Sequence, residues 1–199
     1  MRARERRGLV LAYGVFGLFW GAWAAVLPAL ERQVHASDGQ LGLALAAIAL
    51  SALPATAVAG RVADARGAGR VLKGCLLAFG CAAPLAALAS SLPVLIGLLI
   101  ALGLTTGALD VVVNTATAAW ERAEDGRLMS TGHGAFSVGV LVGSAGAGFA
   151  RQAGAGPLPI LLSVAACVLA VGLSQPTYRL DGGPAAPRPW RGSRPRCRC

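Results

Sequence analysis

Asp110 and Asn114 carry the residue types most able to do chemistry in this chain. Asp110 is the one charged residue between positions 93 and 119, and Asn114 is the one asparagine. A spacing of four places both side chains on one face of a helix. The carboxylate can take up a proton. The amide offers two donors and an acceptor to a hydroxyl-rich or amide-bearing solute. Each also has a plainer reading, as an acid hydrogen-bonded across helices and an amide joining two of them. An ionisable group at mid-membrane costs roughly 3 kcal/mol on insertion scales, so it faces a cavity or a partner rather than lipid.

The elements that must position this pair are apolar. Of 199 residues, 55% are hydrophobic and 14% charged, with mean hydropathy +0.62. Soluble domains carry about 25% charged residues, and a helical span needs about 20 apolar ones. Six segments qualify: 8–30, 40–60, 71–90, 93–119, 133–150 and 157–174. No segment shows the alternation of a membrane β-strand. The predicted fold is therefore an all-α membrane protein with six transmembrane helices.

Local signals refine that frame. The first helix, with Trp20 and Trp23, is expected to end near Pro28, before an outer loop over 31–38. Ser51 and Pro54 are expected to interrupt and bend the second helix. Only Ser91 and Leu92 separate the third and fourth segments, which predicts a tight hairpin. On the fifth helix Gly139, Gly143, Ser144, Gly146 and Gly148 form a small-residue face for close helix packing. His133, at the start of that helix, is expected to bond backbone. The cysteines within the spans, Cys75, Cys81 and Cys167, read as small apolar residues.

Charge placement orients the helices. The formal charge is +9, a value that by itself would also suit a nucleic-acid partner. Numbering the polar stretches alternately, however, puts all Lys and Arg on one side except Arg32 and Arg151. Such a bias marks the cytoplasmic side, so both termini are expected inside, in the plasma (inner) membrane, with no nucleic acid bound. A cleavable leader ending at Ala22-Trp23-Ala24 is the lesser reading, because the apolar run continues to Leu30. Residues 1–174 form the predicted six-helix domain. Residues 175–199, rich in Arg, Pro and Gly, are expected to be a disordered cytoplasmic tail. No phosphate-binding loop and no His/Cys metal spacing appears, so no metal and no cofactor is expected.

After the second span the chain reads Gly60, Asp64, Gly67 and Arg70 at the intervals of a known loop, with Arg66 between them. This pattern resembles the signature loop of the major facilitator superfamily, where it acts as a conformational latch. Asp110 and Asn114, followed by Trp120 and Glu121, resemble the fourth helix of the superfamily's fucose-permease-like branch, and His133 to Gly139 resembles the start of its fifth. No Lys or Arg lies between Lys73 and Arg122, unlike the superfamily's drug–proton antiporters. The resemblance implies half of a major facilitator fold, six helices as two inverted three-helix units, matching the N-terminal half. It implies a secondary transporter moving a small solute by proton-coupled alternating access. Asp110, Asn114, Trp20 and Trp23 would then bind substrate or proton. The lipid bilayer, the solute, protons and a second six-helix half would be the partners. The abrupt change after Ser174 suggests a truncated or frameshifted product. The alternative is a non-catalytic membrane subunit, or an inactive truncated product, that binds another chain. An intramembrane serine protease does not fit: Ser144 lacks the Gly-x-Ser-Gly context and no histidine follows His133.

Overall fold

The computed structural model describes residues 2–176. Six α-helices make up nearly all of them: α1 (Arg2–Gln33), α2 (Asp38–Arg66), α3 (Ala68–Ala82), α4 (Leu92–Glu124), α5 (Met129–Gln152) and α6 (Pro157–Ser174). A 3-10 turn, Leu85–Leu88, lies between α3 and α4, and no strand occurs among the described residues. Counting that turn with α3, all six are long and apolar enough to cross a membrane. Large apolar side chains remain uncovered on α2 and α5, with Leu43 75% and Phe149 70% exposed. Contiguous faces of this kind suit lipid or a neighbouring protein surface better than water.

The packing is internally symmetric. Helix α1 packs most extensively on α5, and α2 on α4. The next pairs are α3 with α4 and α1 with α6, followed by α3 with α6. Exchanging α1 with α4, α2 with α5 and α3 with α6 preserves that order. The exchange pairs odd spans with even ones, so the two three-helix units are inverted. Glycines set both main seams. Gly17 and Gly21 of α1 lie against the α5 backbone at Phe136 and Val140, and Gly103 and Gly107 of α4 against the α2 backbone at Ile48 and Ala52. One constant step along the chain carries the first glycine pair onto the second, and another carries Ile48 and Ala52 onto Phe136 and Val140. Without side chains at these positions the backbones approach closely.

An aromatic cluster fills the space beside the α1–α5 seam. Phe79 meets Phe16 and Phe19 edge-on, with ring centroids 5.4 and 4.8 Å apart. Trp23 is buried and stacks on Phe19 at 5.9 Å. Rings are rigid and large, so each fixes much core volume at low entropic cost.

Several expected boundaries move. Helix α1 runs through Pro28 to Gln33, leaving a connection of only residues 34–37. Helix α2 runs unbroken through Pro54. There the Ser51 and Thr56 hydroxyls bond back to the carbonyls of Ala47, Ile48 and Ala52, and prolines are tolerated in spans where such local groups adjust. The expected tight connection is made by residues 89–91, but the third span is not α-helix to its end. Pro84 has no N–H to continue α3, so the chain tightens into the 3-10 turn, where Ala87 N donates to the Pro84 carbonyl at 3.1 Å. Gln33 Nε2 ties this connection to α1 through the Ala87 and Ala89 carbonyls, at 3.0 and 2.8 Å. On α5, Gly139 and Gly143 pack against α1, but a Cβ added at Gly146 or Gly148 would meet no neighbouring element within 4 Å. At the other edge, Gln175 is buried, and its Nε2 donates to the Gly8 carbonyl at 2.9 Å. The remainder of the expected tail, residues 177–199, lies outside the described residues.

Candidate functional site

Asp110 and Asn114 do share one face of α4, and α1 completes the arrangement. Asn114 Nδ2 donates to Asp110 Oδ1 at 3.2 Å and to the Asp110 carbonyl at 2.9 Å. Asn114 Oδ1 accepts from the Tyr13 hydroxyl at 2.7 Å. Met129 Sδ lies 3.3 Å from the same hydroxyl. The Asp110 carbonyl decides how the amide points: it can only accept, so the amide nitrogen faces Asp110 and the amide oxygen is left to accept from Tyr13. Tyr13 itself is 3% exposed. A buried phenol on α1 thus bonds an amide on α4, and the amide holds one oxygen of an exposed carboxylate.

That carboxylate opens onto a cleft of about 400 Å³. Four helices contribute. Tyr13, Phe16 and Trp20 come from α1, Thr56 from α2, Thr106 and Asp110 from α4, and His133 and Phe136 from α5. The wall is thus aromatic on the α1 and α5 side and carries hydroxyls on the α2 and α4 side. The Thr106 hydroxyl is buried and has no hydrogen-bond partner among the described residues. It stands one helical turn from Asp110 on the same α4 face. His133 Nδ1 lies 2.9 Å from the Met129 carbonyl. A carbonyl only accepts, so Nδ1 carries the proton and Nε2 is left to accept or to become protonated. Its ring centroid is 5.4 Å from that of Tyr13.

The other candidates separate from this cleft. Trp20 lines it, whereas Trp23 belongs to the aromatic core. The expected latch loop is mostly helix. Gly60 and Asp64 belong to α2, Arg70 belongs to α3, and Gly67 alone makes the break. Its φ of 87° favours glycine, and its N–H donates to the Ala63 carbonyl at 2.9 Å. Glu121, beyond its place in the fourth-helix motif, has a defined task. Its carboxylate accepts from the backbone N–H of Leu128, and from that of Met129 at 2.7 Å. It thereby caps the N-terminus of α5, whose first donors have no partners within the helix. Among the described residues, no three His, Cys, Asp or Glu side chains lie together as a metal site.

Tyr13, Thr56, Thr106 and Phe136 were not singled out from sequence as site residues. The signal for Tyr13 was available: Tyr13, Phe16 and Trp20 fall at helical spacing on one face. Thr56 and Thr106 are small polar residues within apolar spans, and only the seam between α2 and α4 shows that they meet one cleft.

Comparison with known proteins agrees with this architecture. The chain is 31% identical over 140 residues to an uncharacterized transporter of Sinorhizobium fredii, covering 70% of this chain and 37% of that protein. It is 30% identical over 155 residues to an uncharacterized MFS-type transporter of Yersinia pestis, covering 77% of this chain and 40% of the other. It is also 30% identical over 127 residues to membrane protein MosC of Rhizobium meliloti, covering 64% and 31%. The chain thus spans well under half the length of these relatives. A family profile matches residues 9–194; with its six apolar helices, the chain is a membrane protein that belongs to the Major Facilitator Superfamily.

Proposed function

We propose that this chain acts as a six-helix half of a solute transporter, with Asp110 as its proton- or solute-binding carboxylate. The observation that carries the reading is an exposed acid near the middle of an apolar helix, held by Asn114, which Tyr13 bonds in turn. A bare carboxylate at that depth is costly against lipid, so a second protein wall, most simply another six-helix half, would close the cleft over it. Two of the relatives are named as transporters, which supports the same reading.

The cleft suits a small solute with a ring or apolar face for Trp20 and Phe136. Polar groups on the same solute would meet Asp110, Asn114 and Thr106. Alternating access would rock the two halves about this site, and solute and proton would each bias the equilibrium through Asp110. Both termini would be cytoplasmic, following the placement of Lys and Arg. The test is solute-driven proton flux in proteoliposomes carrying the chain with a second six-helix half. Asp110→Asn should abolish proton-coupled accumulation while leaving membrane insertion intact. Unchanged pH-dependent uptake in that variant would remove Asp110 from the mechanism.

A further inference from the structure

We propose that a groove between α2, α3 and α4 binds one anionic phospholipid, its phosphate on Arg66 and Arg70 and an acyl chain along the groove. The groove is separate from the Asp110 cleft and has a volume of about 480 Å³. Arg66 closes α2 and Arg70 lies in the first turn of α3, so both guanidinium groups stand where helices end. Both are exposed, and neither forms an ion pair among the described residues. Asp64 lies two positions before Arg66, on the opposite side of α2, and does not line the groove.

Away from the arginines the walls become apolar: Val62, Ala78, Leu104 and Ala108 line them. Gly74 adds room, since a methyl there would meet nothing within 4 Å. From Arg70 to Ala78 the groove follows α3 for about 12 Å. The ligand this shape fits has an anion at one end and an apolar length behind it. Planar guanidinium forks match phosphate oxygens, and the uncovered apolar exterior, with Leu104 43% exposed, lets a lipid enter from the side. A free phosphate would use the arginines and leave the groove empty.

Native mass spectrometry of the full chain, released from nanodiscs of equal phosphatidylglycerol and phosphatidylcholine, tests this. Wild type should retain phosphatidylglycerol preferentially. Arg66→Gln with Arg70→Gln should lower that preference about 30-fold, from about fivefold per surface arginine. Arg66→Lys with Arg70→Lys should keep most of it. Ala78→Trp fills the groove but keeps both arginines, and should also reduce retention. Equal preference in wild type and the double glutamine variant would overturn the proposal. Full retention in Ala78→Trp would overturn it as well, because surface charge would then suffice. Displacement by millimolar inorganic phosphate would identify a phosphate site instead, and if the glutamine variant does not fold, Ala78→Trp decides.

Discussion

Adding one methyl group at Gly21 or Gly107 should weaken the fold, and the same change at Gly146 should not. In a helix interior alanine is favoured over glycine by about 1 kcal/mol, so propensity alone predicts stabilisation everywhere. Packing reverses the sign at the seams. A Cβ at Gly21 would lie 2.7 Å from Ser144 N, and one at Gly107 would lie 2.8 Å from Ala52 Cα. Both neighbours are backbone and have no rotamer to move into. Optimal contacts are about 3.5 Å and the carbonyl oxygens of Val140 and Ala52 would lie closer still, so each seam must open by about 1 Å, which forfeits up to about half of the contact energy of the displaced atoms. Overpacking of this kind costs about 1–3 kcal/mol, and a rigid backbone clash belongs at the upper end. The net expectation is a loss of about 2 kcal/mol at Gly21, and a similar loss at Gly107 because the two occupy equivalent places in the inverted units. Gly146, with nothing within 4 Å, should be neutral or gain. Thermal or denaturant unfolding of the purified chain in detergent, read by helical circular dichroism, measures this. Gly21→Ala and Gly107→Ala variants as stable as Gly146→Ala would refute both the close seams and the symmetry drawn from them.

Three further predictions concern single contacts. Glu121→Ala should uncap α5 and speed hydrogen exchange at the Leu128 and Met129 amides; unchanged exchange there would show that the cap is not made. Tyr13→Phe removes the bond that ties Asn114 to α1, and should cost about 1 kcal/mol of stability while impairing uptake in an active transporter more than unfolding explains; wild-type uptake would separate Tyr13 from the site. Gln175→Leu removes the side-chain donor that the Gly8 carbonyl accepts beside its bond within α1, so unfolding should occur about 1 kcal/mol more easily, and a variant of equal stability would mean that Gln175 does not dock on α1.

Sequence made the helices legible because their apolar runs match the bilayer, and made Asp110 legible because an isolated charge stands out against such a run. Spacing also put Asn114 on the right face. What sequence concealed was tertiary. Tyr13 is more than a hundred positions from Asn114, and no local pattern announces that its hydroxyl bonds the amide. Trp20 and Trp23 look equivalent in sequence, yet the helix turns one toward the cleft and the other into the aromatic core. The prolines misled in a consistent way. Pro28 and Pro54 are absorbed within long helices, whereas Pro84, inside an apolar run, ends one. Gly139, Gly143, Gly146 and Gly148 of α5 look like one continuous face, but of these four only Gly139 and Gly143 meet α1. The signature pattern from Gly60 to Arg70 was readable as a motif, and its conformation, two helices broken at Gly67, was not.

The central claim is that Asp110 faces a water-accessible cleft rather than lipid or a dry core. Cysteine scanning tests it without knowledge of the solute. In a background lacking the native cysteines, Asp110→Cys and Val112→Cys are compared in sealed vesicles with a membrane-impermeant thiol reagent. Val112 is fully buried, so the account predicts rapid labelling at position 110 and none at 112. Equal protection of both positions would contradict it.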